Sequence, residues 1–304
     1  MQAELKSRIT TAVERIPVEL GRVAPRLAEL VREWMVELAR GQEPVEYFDA
    51  RGRFPIFELP WWLSRQIGVD RDETLQRSLA YSTVNGYYYV RLVDNLMDGN
   101  STVERDLLPA ASFFHTEFQS SYQHLFPSNH RFWEFFRHTW FFSSECATRD
   151  AALESIDRTS FEEVCARKIC AAKIPLAAVC YHSGRDQLLE PWGEFCDRLG
   201  CYVQMMDDLV DWQQDADLGN RTYFLSEGAR RRRNNEGIRG WYVREGFAWA
   251  VASLDEWMVE LRNMATDLGS DVQRYLDMRD ALLREHQTKL EAGLRALNRL
   301  GSLL

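Results

Sequence analysis

The chain has 304 residues, 45% of them hydrophobic and 27% charged, and 37 Lys+Arg against 46 Asp+Glu leave a net charge of −9. This composition excludes a disordered chain, and 17 Gly with 9 Pro exclude a collagenous or linker-rich one. No stretch of 18 or more residues is free of charge, so no transmembrane helix is predicted, and the acidic balance argues against nucleic acid as the main partner.

From the N-terminus, Met1 to Leu20 interleaves charged and apolar residues without an apolar core, so no secretory signal is expected. Val23, Leu27, Leu30, Val31, Trp34, Met35 and Leu38 recur at helical spacing, and Gly41 and Pro44 stop that helix. Residues 51–70, with Pro55 and Pro60, read as an aromatic loop. A helix is predicted from near Asp70, with Glu73 at capping-box spacing, to Asp98, and Gly99-Asn100 ends it. Further helical runs cover roughly 103–125, 130–148, 157–183, 188–217, 237–265 and 269–300. The least regular stretch, 216–237, holds Arg230 to Arg233 and is expected to be a mobile loop. Strand alternation bounded by turn pairs is absent, as is any long Pro/Ser/Gly linker. The fold expected is all-α, one domain over residues 1–304 with eight to ten or more helices. Cys146, Cys165, Cys170, Cys180, Cys196 and Cys201 form no CxxC pair and read as buried thiols of a cytoplasmic protein.

Two carboxylate rows stand out. Asp94 and Asp98 are four residues apart and share a helical face with Arg91, Val90 and Tyr87. Gly200, Gln204, Asp207, Asp208, Asp211 and Asp215 trace one face of a second helix, whose remaining residues, from Leu199 to Trp212, are almost all apolar. A lone Asp pair at this spacing is ordinarily a solvated face. A narrow acidic strip on a largely apolar helix is different, because buried carboxylates must meet a counter-charge, a cavity or a metal. None of the six His has Glu three residues before it, so a di-iron bundle is excluded. Asp clusters without His or Cys suit Mg²⁺, which commonly takes substrate phosphate as a further ligand. Arg91, Lys168, Lys173 and Arg221 are candidate basic partners. A P-loop is absent.

LGCYVQMMDDLVD, residues 199–211, resembles the GxxxQxxDDxxD segment of trans-isoprenyl diphosphate synthases through Gly200, Gln204, Asp207, Asp208 and Asp211. DNLMD at 94–98 resembles that family's first DDxxD motif, with Asn95 in place of the second Asp. RLVDNLMDG is also similar to the DxxxD motif of squalene and phytoene synthases. The resemblance, to the class I isoprenoid synthase superfamily, covers roughly residues 75–225. It implies a helical bundle around a central cavity and a prenyl diphosphate substrate.

It further implies three Mg²⁺ ions held by Asp94 and Asp98 and by Asp207 with Asp211, with Asp208 and Asp215 in the same metal-binding rows. Asp94, Asp98, Asp207 and Asp211 would be catalytic. Arg91, Lys173, Gln204 and Arg221 would contact the diphosphate, while Tyr87 and Tyr89 would line the prenyl site, Tyr89 capping it. The activity implied is ionisation of a C10–C20 allylic diphosphate, followed by cyclisation or transfer to a neutral acceptor. The Arg pair that elongating members carry after the first motif is missing from GNSTVERDLL at 99–108. Two alternatives stand beside this: head-to-head condensation of two prenyl diphosphates, as in squalene and phytoene synthases, and a non-catalytic helical partner of a prenyl diphosphate synthase. A homodimer fits the family.

Overall fold

The computed structural model describes residues 1–49, 53–98 and 103–301, with the side chains of 98, 103, 104, 291 and 293–301 outside that description. Among the described residues the regular elements are all helical, and none is long and apolar enough to cross a membrane. In chain order they are α1 (Ala3–Gly21), α2 (Pro25–Leu38), α3 (Glu58–Ile67), α4 (Glu73–Asp98), α5 (Val103–Ser120), α6 (Phe132–Ala152), α7 (Arg158–Glu163), α8 (Lys173–His182), α9 (Leu189–Leu218), α10 (Tyr223–Arg231), α11 (Ile238–Trp241), α12 (Phe247–Met264) and α13 (Ser270–Gly301). A 3₁₀ segment, Cys165–Ala172, leads into α8, and a π-helical turn, Tyr242–Gly246, joins α11 to α12. The chain divides into two compact units. One comprises Met1–His138 with Ala172–Leu189, the other Thr139–Ala171 with Glu190–Leu304.

In the first unit α4 packs against α1, α5 and α8. Its middle, residues 79–86, is buried on every side, the pattern of a core helix rather than an amphipathic surface one. The backbones of α4 and α5 approach closely because Gly86 lacks a side chain: a Cβ there would lie 2.9 Å from the Phe118 ring. Tyr88, fully buried, sits among Trp34, Phe48 and Phe114 at centroid distances of 5.6, 5.5 and 5.7 Å. Phe118, next to Gly86, and Phe132 and Phe136 extend this aromatic core.

Helix α1 buries Leu5, Ile9, Ala12, Val13, Ile16 and Leu20 at helical spacing. Two sequence expectations in this unit change. The supposed aromatic loop contains α3, with Pro60 in its first turn, where the missing N–H costs nothing, and Gly68 at φ 77° closing it. Helix α4 starts at Glu73 because the cap is Asp72 rather than Asp70. The Asp72 carboxylate accepts from Leu75 N at 3.0 Å, and its other oxygen is 2.9 Å from His182 Nε2 at the end of α8.

In the second unit α9 is buried almost all round from Trp192 to Leu209, then exposes Val210, Asp211, Gln213 and Gln214. Gly200 admits the 3₁₀ segment: a Cβ there would stand 3.0 Å from the Ala166 carbonyl oxygen. The predicted helix over 157–183 is therefore three pieces, α7, the 3₁₀ segment and α8. The stretch 216–237 is not a loop. Gly219, at φ 74°, ends α9, Thr222 caps α10 by accepting from Leu225 N at 3.2 Å, and α10 docks through Tyr223 and Phe224. Tyr223 stacks on Phe161 at 4.8 Å and Phe224 meets Trp241 at 5.0 Å. Arg230 belongs to the structure as well, donating to Ser155 Oγ and Ile156 O. All six cysteines are buried free thiols.

Candidate functional site

The first carboxylate row lies on α4 in one unit and the second on α9 in the other. On α4 burial falls toward the C-terminus. Asp94 is exposed, and its carboxylate lies 3.5 Å from Arg91 Nη1, one turn back. A further turn back, the Tyr87 hydroxyl is 2.9 Å from the Tyr47 hydroxyl and accepts from Arg53 Nη1 at 3.1 Å. The Arg53 guanidinium also covers the Tyr47 ring at 3.7 Å. Burial raises the Tyr87 phenol far above its ordinary range, and the adjoining Tyr47 pushes it the same way. Tyr89 packs against His115 with ring centroids 5.3 Å apart. The Asp98 side chain lies outside the described residues. Tyr47 and Arg53 were not singled out in the sequence. They stand 40 and 34 residues before Tyr87, so no local spacing announces them.

The second row is split by the turn of its helix. Successive residues point about 100° apart, so Asp207 is exposed while Asp208 is buried, with 3% of its surface accessible. Asp208 accepts from Gln204 Nε2 at 3.0 Å, from Tyr223 N at 3.1 Å and from Phe224 N at 3.5 Å. The latter two are the first amides of α10, which have no intrahelical acceptor of their own. Together with Thr222, Asp208 therefore serves as the N-terminal anchor of α10. Burial pushes its carboxyl up to about 7, against the pull of Gln204 and the Phe224 amide, and the nearby Asp215 and Asp207 add to the rise. Asp211 is also raised, first by partial burial and then by Asp215. Asp215 accepts from Asn220 Nδ2 at 2.9 Å.

The basic candidates belong to both units. Lys173 opens α8 in the first unit, and Lys168 pairs with Asp150 in the second. Arg221 donates to the Leu153 carbonyl at 3.2 Å.

Among the described residues no group of three or more His, Cys, Asp or Glu is placed to hold a metal ion. That finding overturns the expected Mg²⁺ cofactor, and with it the Mg²⁺-dependent terpene synthase or prenyltransferase. The physical reason lies in the directions of the carboxylates. Asp208 turns inward and is spent on α10, Asp94 turns to Arg91, Asp215 turns to Asn220, and Asp207 and Asp211 stand exposed. What the arrangement does is mechanical: Gly200, Gln204 and Asp208 hold the 3₁₀ segment and α10 against α9. No family model matches the chain, and no curated protein matches it.

Proposed function

We propose that this chain is a non-catalytic helical partner of a prenyl diphosphate synthase, related to the class I isoprenoid synthases through its motifs. The observation that carries this reading is the use made of Asp208. In a metal-dependent synthase the carboxylates of the second motif must converge on cations. Here the middle carboxylate is buried and accepts three hydrogen bonds from its own unit. A buried carboxylate accepting from two backbone amides has its lone pairs committed, and freeing it would leave those amides unpaired. Gly200 and Gln204, two more of the residues that carry the resemblance, have equally local uses. Head-to-head condensation is disfavoured by the same finding, since it too would draw on a carboxylate-held metal.

The test is association. The chain is mixed with a purified prenyl diphosphate synthase and run on a sizing column, and the products of the mixture are compared with those of the synthase alone. Co-elution with an altered product chain length or rate supports the reading. Separate elution from every prenyl diphosphate synthase tried, with unchanged products, counts against it.

A further inference from the structure

The stretch from Glu227 to Glu245 carries six arginines (230, 231, 232, 233, 239 and 244) against three glutamates (227, 236 and 245). Its local charge is thus 6 − 3 = +3 in a chain of net charge −9. The two signs are ordered. Glu227 is shared by Arg230, at 2.5 Å, and Arg231, at 2.6 Å. Glu245 is shared by Arg231, at 3.4 Å, and Arg244, at 2.6 Å. Glu236 takes both Nε and Nη2 of Arg244 at 2.8 Å, along with the Arg233 amide at 2.8 Å. Arg231 lies over the Trp249 ring at 5.1 Å, and Arg244 also donates to the Arg231 carbonyl at 3.3 Å. Arg–carboxylate contacts of this kind fix long side chains that would otherwise lose rotamer entropy on binding. Outside the ladder, Arg232 and Arg239 are exposed and have no ion-pair partner among the described residues, and Arg233 is exposed beside Glu236. Val243, next to Arg244, is 50% exposed.

We infer that the exposed arginines beside this arginine–glutamate ladder are a docking surface for an acidic segment of a partner protein. Arg232, Arg233 and Arg239 would take its carboxylates, and Val243 would supply the apolar contact. The charge pattern separates this partner from the other anions. A nucleic acid needs a long track of phosphate contacts, which three exposed arginines do not provide. An anionic membrane needs a broad apolar or basic face, whereas three glutamates interrupt this one. A short acidic segment needs only a few cations for its carboxylates, and its backbone N–H groups can answer the glutamates between them. Arg is also the charged residue most often found among interface hot spots. The inference does not depend on whether the chain is catalytic, so the two fail separately.

The test uses the full chain with poly-L-glutamate as the probe, followed by fluorescence anisotropy at about 50 mM and about 200 mM salt. Phosphatidylserine vesicles and a single-stranded oligonucleotide serve as competing anions. Poly-L-glutamate is expected to bind, to weaken as salt rises, and to lose at least about tenfold in affinity in the Arg232→Glu, Arg233→Glu, Arg239→Glu variant with the melting temperature unchanged. Should that variant melt lower, Arg232→Gln with Arg239→Gln replaces it and must show the same direction of loss. No binding at low salt, equal affinity in the variants, or preference for vesicles or oligonucleotide over poly-L-glutamate each overturns the inference.

Discussion

Replacing Asp208 tests whether it serves the fold or a metal. Its carboxyl accepts from Tyr223 N, Phe224 N and Gln204 Nε2 while almost wholly buried. Asp208→Ala leaves two backbone amides and a side-chain amide without that acceptor. A lost helix cap costs about 1 kcal/mol, and a buried donor left unpaired costs about 1–3 kcal/mol. The relief of an unfavourable buried charge offsets part of this, so a net loss of about 2–4 kcal/mol is expected. Asp208→Asn keeps an acceptor oxygen and removes the charge, and is expected to change stability by less than about 1 kcal/mol near pH 4, where both side chains are neutral, and to gain on the parent as pH rises to 8. The pH dependence gives a sharper criterion. In the folded chain the carboxyl holds its proton up to about 7, against 3.8 for an ordinary Asp. The folded state therefore binds more protons between those values. The contribution of this group to stability is full below about pH 4 and is lost as pH rises to about 7. A difference of about three pKa units corresponds to at most about 4 kcal/mol across that window. Urea unfolding of the parent and both variants at several pH values from 4 to 8 measures it. The parent should show the decline and Asp208→Asn should not. An Asp208→Ala loss below about 0.5 kcal/mol, or an Asp208→Asn curve as steep as the parent's, refutes the anchoring role.

Two further substitutions test the packing that holds the second unit and the cap that starts α4. Gly228→Ala places a Cβ 2.3 Å from Ile238 Cδ1 and 2.9 Å from the Trp241 ring, so a loss of about 1–3 kcal/mol is expected in thermal or urea unfolding. A neutral result would mean that Trp241 is free to move. Asp72→Ala removes both the cap of α4 and the contact with His182, and should cost about 1 kcal/mol. The Asp72 carboxyl is held below its ordinary value, first by the Leu75 amide. Its contribution is therefore present above about pH 4 and is lost in acid, so the variant and the parent should converge there.

Helix content was plain in the sequence because apolar residues recur with a helical period through most of the chain, and the apolar residues of α9 from Leu199 to Leu209 are indeed buried. The departures arise where distant residues decide. Arg230 to Arg233 look like a solvated run in isolation, yet Arg230 is tied to Ser155 and Ile156 and Arg231 to Glu245. Asp72 outcompetes Asp70 as the α4 cap, with His182, 110 residues away, on its other oxygen. The candidate site divides in the same way. The spacing Gly200, Gln204, Asp208 was visible, but spacing does not tell which of two neighbouring carboxylates turns inward. That depends on the orphan amides of α10, a short helix whose stretch of sequence shows no clear helical period. The Tyr47–Tyr87–Arg53 cluster joins residues without any shared period and left no sequence signal.

Diphosphate release from C10, C15 and C20 prenyl diphosphates, measured in the presence of Mg²⁺ for the chain alone and for the chain mixed with a prenyl diphosphate synthase, separates a partner from a catalyst. No release above buffer is expected from the chain alone, and a changed rate or product length is expected in the mixture. Mg²⁺-dependent turnover by the chain alone, abolished by a chelator, would rule out the non-catalytic role.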